Sequence, residues 1–95
     1  MAKVNGTWIR EVLDTWKVCE TTDFIGEIRY GIENFNCRKV YYYLVYSKMG
    51  GSIHTGDGLY TEYGDCVPLV IDLCNKEQEK WEKEIVELRK LYRVE

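Results

Sequence analysis

The sequence is poor in the features that mark disordered, secreted and membrane-spanning proteins. Its 95 residues contain one proline and no low-complexity tract, which argues against disorder. No apolar run is long enough to cross a bilayer, and no apolar segment follows Lys3 as it would in a signal peptide. We therefore expect a cytoplasmic protein that does not contact a membrane and that folds as a single domain, residues 1–95.

Closely paired cysteines are missing as well. Cys19, Cys37, Cys66 and Cys74 form no CxxC pair, although structural zinc sites usually draw their ligands from such pairs. A disulfide framework needs an oxidising compartment, so we expect four reduced thiols, most of them buried as small hydrophobic side chains. From these spacings the sequence predicts neither a metal site nor a cofactor.

Basic residues are scarce in the middle of the chain. The formal net charge is −3, and residues 57–74 contain Asp57, Glu62, Asp65 and Asp72 but no lysine or arginine. Nucleic-acid binding depends on cations that neutralise phosphates. The charge distribution therefore predicts no direct contact with nucleic acid and favours a basic protein partner, such as a nucleic-acid-binding protein.

Tyrosine, by contrast, is abundant, and half of the eight tyrosines lie in residues 40–46. Aromatic and β-branched residues fill this run, which we predict to be the central strand of a sheet. Side chains alternate along a strand, so the run has two apolar faces. One consists of Val40, Tyr42, Leu44 and Tyr46, and the other of Tyr41, Tyr43 and Val45. A C-terminal helix can cover one face, and either residues 8–16 or a binding partner must cover the other.

The segments on either side of this strand predict an antiparallel sheet. Residues 27–33 alternate between apolar and charged side chains, as in a half-buried strand. A turn at residues 34–36 then returns the chain into a hairpin with the central strand. Beyond the central strand we expect a short strand at residues 53–55 and a last edge strand at residues 59–63.

The N-terminal segment fits two structures. The chain is expected to begin with a loose lead-in that ends in a turn at Asn5 and Gly6. Residues 7–20 carry apolar side chains at helical spacing, which favours a helix to about Asp14 followed by a strand. The same residues are rich in strand-forming types, so a hairpin that turns at Asp14 and Thr15 is the alternative.

The C-terminal third predicts one long helix. Asp65 is a favourable N-cap, Pro68 falls in the first turn, and an apolar stripe continues to about Tyr92. The predicted fold class is therefore α+β: an antiparallel sheet of three to five strands with a long C-terminal helix packed on one face. Trp8 and Trp16 are expected to join the same core.

Two patterns point weakly to ligand binding or catalysis. Residues 48–58 are rich in glycine, so the alternative function is a small-ligand protein that sequesters a nucleotide, with Arg29 or Arg38 pairing with its charge. The loop contains no GxGxxG motif and no Walker lysine, which favours ordinary hairpin turns. An enzyme would need His54 beside Cys66, whose acidic surroundings disfavour a thiolate. We therefore predict that the protein is not an enzyme.

The predicted working surface combines tyrosines with the acidic segment, a composition typical of contact surfaces. Its partner-binding residues are Tyr41, Tyr43, His54, Asp57, Tyr60, Glu62, Tyr63 and Asp65. The predicted function is a small non-enzymatic protein-binding module, and an uncovered strand edge or sheet face would also favour a homodimer. No motif identifies a family. In its small size, mild acidity and tyrosine content the chain resembles small accessory proteins of phages and mobile elements, which implies inhibition of a host factor.

Overall fold

The computed structural model describes residues 2–4 and 6–92 and confirms the α+β fold. Five strands form one antiparallel sheet, in which each strand lies beside its neighbours in the chain. A long helix follows the strands and packs on one face of the sheet. The elements are β1 (Ala2–Val4), β2 (Thr7–Glu20), β3 (Phe24–Glu33), β4 (Lys39–Ser47), β5 (Ile53–Thr55) and α1 (Tyr63–Leu91).

The first residues form a strand instead of the loose lead-in that the sequence predicted. Val4 pairs with Thr7, so β1 and β2 are joined by a tight turn in which Gly6 has a φ of +82°. Glycine adopts this left-handed region without the steric penalty that a Cβ would bring. Asn5, the other predicted residue of the turn, lies outside the described residues.

β2 is one continuous strand of 14 residues, so both the predicted helix and the alternative hairpin were wrong. Its pairing with β3 shifts register at three places, each consistent with a β-bulge. A bulge adds one residue to one strand, so side chains three positions apart can face the same side. Ile9 and Val12 share one face in this way, and Trp16 and Cys19 share the other. The bulges thus reproduce the helical spacing that misled the sequence analysis.

β3 and β4 form the predicted hairpin, with Tyr30 opposite Tyr41. β3 is the middle strand of the five. β4, which was predicted to be the central strand, lies next to it. The short strand Ile53–Thr55 is confirmed as β5. The predicted edge strand at residues 59–63 is reduced to one antiparallel bridge, in which the backbone N–H groups of Tyr41 and Tyr60 each donate to the other residue's carbonyl.

The N-cap of α1 lies three residues before the predicted one. Glu62 is the N-cap, with extended backbone and no capping hydrogen bond from its side chain. Asp65 lies in the first turn instead, where its negative charge still interacts favourably with the helix dipole. The helix ends at Leu91, close to the predicted end, and the Tyr92 N–H donates to the Leu88 carbonyl.

The main core lies between α1 and the sheet. Its buried residues are Phe24, Ile28, Tyr43, Val45, Cys66, Val70 and Cys74, and Trp16 packs against them as predicted. The helix packs closely against the sheet at Gly26, where a Cβ would lie 2.4 Å from Cys19 Sγ and 2.9 Å from Val70 Cγ2. A side chain at this position would therefore push the helix away from β3.

A second buried cluster lies on the opposite face of the sheet. It consists of Val4, Ile9, Val40, Tyr42 and Leu44. A Cβ on Gly31 would lie 2.8 Å from Ile9 Cγ2 and 3.5 Å from Tyr42 Cε1, so the glycine gives these two side chains room to meet above β3. Val4 and Ile9 belong to this cluster, so residues of the N-terminal hairpin pack against Val40, Tyr42 and Leu44. Trp8 does not take part, because it is 45% exposed with the Lys3 ammonium 5.5 Å from its ring centroid.

Candidate functional site

Asp57 is held in place by two tyrosine hydroxyls. Tyr43 and Tyr60 both donate hydrogen bonds to Asp57 Oδ1, at 3.1 and 3.0 Å. These bonds favour the ionised carboxylate and lower the pKa of Asp57. Burial and the neighbouring carboxylate raise the pKa of Tyr60 to about 12, so its hydroxyl stays protonated and keeps donating. The result is an exposed, charged carboxylate whose orientation is fixed by the fold.

Gly56 makes this arrangement sterically feasible. Its backbone N–H donates to the Tyr43 carbonyl at 2.8 Å, which holds the loop against β4. A Cβ on Gly56 would lie only 2.4 to 2.6 Å from atoms of the Tyr43 ring. The absent side chain therefore lets the loop cross directly over the ring and places Asp57 at the end of the Tyr43 side chain.

A shallow cleft of about 280 Å³ separates this loop from the first turns of α1. Its walls include Thr55, Gly56, Asp57, Leu69, Asp72 and Lys76, and we refer to it as the Asp57 cleft. Lys76 Nζ lies 2.8 Å from Asp72 Oδ2, one helical turn earlier. Asp57 Oδ2 accepts no hydrogen bond from the described residues, so its lone pairs remain available to a donor from outside.

The helix side of the Asp57 cleft was not predicted from the sequence. Leu69 and Lys76 were assigned only to the helix and Asp72 only to the acidic segment, although their spacing of three and four positions places them on one helical face. This spacing could have indicated that the three residues share a surface. It could not show that the loop after β5 packs opposite that surface.

The remaining predicted tyrosines serve mainly in packing. Tyr43 is only 6% exposed beneath α1, so its ring packs in the core. Tyr41 and Tyr63 are half-buried, and each packs against Trp16, with ring centroids 6.2 and 5.2 Å away. Tyr41 also lies 4.5 Å from Tyr30.

The charged members of the predicted surface lie in two places. Glu62 and Asp65 are exposed at the start of α1. His54 lies on β5, with its Nε2 3.4 Å from Glu77 Oε2 in the middle of the helix. It lines a different cleft, together with Trp81 and Lys80. The structure therefore separates His54 from the Asp57 cleft.

The arginines proposed for nucleotide binding are already paired. Arg29 contacts Glu27 at 3.0 Å, and Arg38 contacts Glu33 at 3.0 Å. The glycine-rich turn between β4 and β5 contains Gly50, which has a φ of +82° as the hairpin requires.

Cys66 does not have the environment of a nucleophile. Its side chain is fully buried, and burial, reinforced by Asp65, raises its pKa to about 11. A thiol with this pKa is protonated at neutral pH, whereas reactive cysteines are thiolates. Cys19, Cys37 and Cys74 are also free, and Cys37 is exposed.

Within residues 2–4 and 6–92, no three His, Cys, Asp or Glu side chains cluster as metal ligands would. The helix of this part of the chain is not apolar enough over its length to span a bilayer. No family model matches the chain, and comparisons with curated proteins and with solved structures found no match.

Proposed function

We propose that the protein is a non-enzymatic binding module that docks a basic segment of a partner protein at the Asp57 cleft. The observation that supports this most directly is the double hydrogen bond from Tyr43 and Tyr60 to one carboxylate oxygen. It keeps Asp57 charged and oriented without using Oδ2. A carboxylate fixed in this way loses little conformational entropy when a lysine or arginine binds to it.

The surroundings of Asp57 favour a long basic side chain over a small cation. Leu69 lines the Asp57 cleft and is 36% exposed, so it offers an apolar surface to the methylene groups of lysine or arginine. Asp72 lies on the same wall and adds negative charge, although Lys76 neutralises part of it. Glu62 and Asp65 extend the negative surface toward the helix start and would attract a basic segment from a distance.

This surface is suited to a partner that itself carries a strong positive charge. Proteins that bind nucleic acid have such segments, and an acidic module that occupies them would compete with phosphate. Inhibition of a nucleic-acid-binding host factor is thus the specific role that we propose. The binding would weaken as salt is added, because the charges involved are exposed.

The first test uses Asp57→Asn, which retains an oxygen for the two tyrosine hydroxyls but removes the charge. We expect binding of a fluorescent oligolysine peptide, measured by anisotropy at low salt, to weaken roughly fivefold, equivalent to about 1 kcal/mol. Glu79→Gln is the matched control, because Glu79 is exposed on a later turn of α1. Equal affinities for both variants would contradict the proposal.

A second measurement locates the peptide. Amide chemical-shift changes on peptide addition are expected to centre on Asp57, Leu69 and Asp72. Changes centred on the far end of α1 or on β2 would overturn the assignment of this surface.

A further inference from the structure

The apolar stripe of α1 continues past the end of the sheet. Gln78 marks that end: the Asp23 N–H donates to Gln78 Oε1 at 2.9 Å, and Gln78 Nε2 donates to Asp23 Oδ2 at 2.8 Å. Asp23 lies in the turn between β2 and β3. The helix continues from Gln78 to Leu91, which at 1.5 Å per residue is about 20 Å. The molecule is accordingly 57 Å long but only 23 and 17 Å in its other dimensions.

The side chains on this projecting segment, residues 82–92, keep the spacing of a packed face. Ile85, Leu88 and Tyr92 follow Trp81 at intervals of four, three and four positions. They therefore continue the line of the sheet-facing helical residues, of which Trp81 is the last to pack against the core. Leu88 is 50% exposed and Tyr92 is 69% exposed, so the stripe loses its cover where the sheet ends.

We propose that a second copy of this chain covers the stripe, with the two projecting segments packed side by side in antiparallel directions. Intervals of four and three residues are those of a coiled-coil seam. A two-fold axis between the segments would place Ile85 of one copy beside Leu88 of the other, and Trp81 beside Tyr92. Such an interface is self-complementary, as two-fold dimers require.

The sheet determines the direction of the pairing. The sheet lies on the same side of α1 as the stripe, because the helical face that packs against the sheet continues as the stripe. In a parallel pair, the sheet of each copy would occupy the space of the other copy's helix. In an antiparallel pair the two sheets lie at opposite ends, beyond the partner's helix terminus. Only the antiparallel arrangement is free of this clash.

The charges beside the stripe identify a second copy as the occupant. Residues 82–84 contain two acids and one base, and residues 87–90 contain one acid and two bases, so the projecting segment is weakly acidic at its start and weakly basic at its end. Antiparallel pairing brings the acidic start of one segment against the basic end of the other, and specifically Glu82 against Arg89. The opposed helix dipoles also interact favourably. A partner with one sign of charge would meet repulsion at one end of the segment.

The interface is short, so the dimer is expected to depend on concentration. Contacts well below the usual interface size give weak or transient association. We expect a dissociation constant on the order of 10 µM.

Sedimentation velocity of the full chain from about 1 µM to 500 µM tests the proposal. The wild type is expected to shift from monomer to dimer over this range, and Leu88→Glu to remain monomeric throughout. Val86→Glu is the matched control, since Val86 is 49% exposed but lies on the opposite helical face. Circular dichroism confirms that each variant is folded. A monomeric wild type, or equal effects of both substitutions, would overturn the proposal.

Charge reversal tests the pairing direction independently of folding. Glu82→Arg and Arg89→Glu are each expected to weaken dimerisation about threefold to tenfold at low salt, and the double variant to restore it. A double variant as weak as the single ones would contradict the antiparallel arrangement.

Discussion

Two adjacent tyrosines on β4 differ in whether their buried hydroxyl groups have a hydrogen-bond partner. The Tyr42 hydroxyl makes no hydrogen bond within the described residues, and its burial raises its pKa, an effect that the nearby Arg29 guanidinium partly opposes. The Tyr43 hydroxyl donates to Asp57. A buried polar group without a partner loses its hydration and gains nothing in return, whereas a paired group recovers that loss. The two positions therefore respond oppositely to loss of the hydroxyl.

Replacement of each tyrosine by phenylalanine tests this difference. We expect Tyr42→Phe to leave the free energy of unfolding unchanged or to raise it by up to about 1 kcal/mol, and Tyr43→Phe to lower it by about 1 kcal/mol. Urea unfolding followed by tryptophan fluorescence measures both. A larger loss for Tyr42→Phe than for Tyr43→Phe would show that the Tyr42 hydroxyl has a partner.

The cysteines provide a second test at single residues. Burial raises the pKa of Cys66 to about 11, so the folded state keeps this proton at pH values where an unfolded thiol, with a pKa near 8.5, loses it. The resulting stabilisation is present below about pH 8.5 and declines as the pH rises toward 11. At pH 8, iodoacetamide is expected to modify exposed Cys37 at least 10-fold faster than Cys66, as measured by mass spectrometry. Similar rates in the folded protein would contradict the buried position, and in urea the rates should converge.

Among the elements, the close contact between α1 and β3 depends on the absence of a side chain at Gly26. Gly26→Ala would place a methyl group within 3 Å of Cys19 and Val70, so we expect a loss of about 1–3 kcal/mol in unfolding free energy. Gly64→Ala is the control, because no atom lies within 4 Å of its Cβ position and alanine favours the helix. The Gly64 variant should be as stable as the wild type or slightly more so. Equal losses of unfolding free energy at both positions would show that close packing at Gly26 is not the cause of the loss.

The elements also show which parts of the fold can be predicted from local patterns. The hairpin of β3 and β4 and the long helix follow simple alternation and helical periodicity, and both were predicted. β2 was not, because its bulges are set by pairing with β3, and a bulged strand carries the same apolar spacing as a helix. The N-cap was misplaced because Asp65 is chemically suited to the role but lies inside the first turn.

For the whole molecule, each face of the sheet carries a buried cluster. α1 packs on one of them, and Val4 and Ile9 of the β1–β2 hairpin contribute to the other. Tyr42 and Tyr43 are therefore buried, one in each cluster. What remains is the Asp57 cleft along one side and the apolar stripe at the end of α1. Composition was enough to suggest Asp57 and Tyr60 as binding residues. The cleft itself depends on contacts between residues that are distant in sequence.

The bulges of β2 also affect solubility. β1 pairs only with residues 7–9, so the rest of β2 has no strand on its outer side among the described residues. A long regular edge of this kind invites other chains to add to the sheet and aggregate. The bulges interrupt the even spacing of backbone donors and acceptors, and exposed charges such as Asp14 and Lys17 line the same edge. The irregularity that made this strand look helical thus also protects the protein against fibre formation.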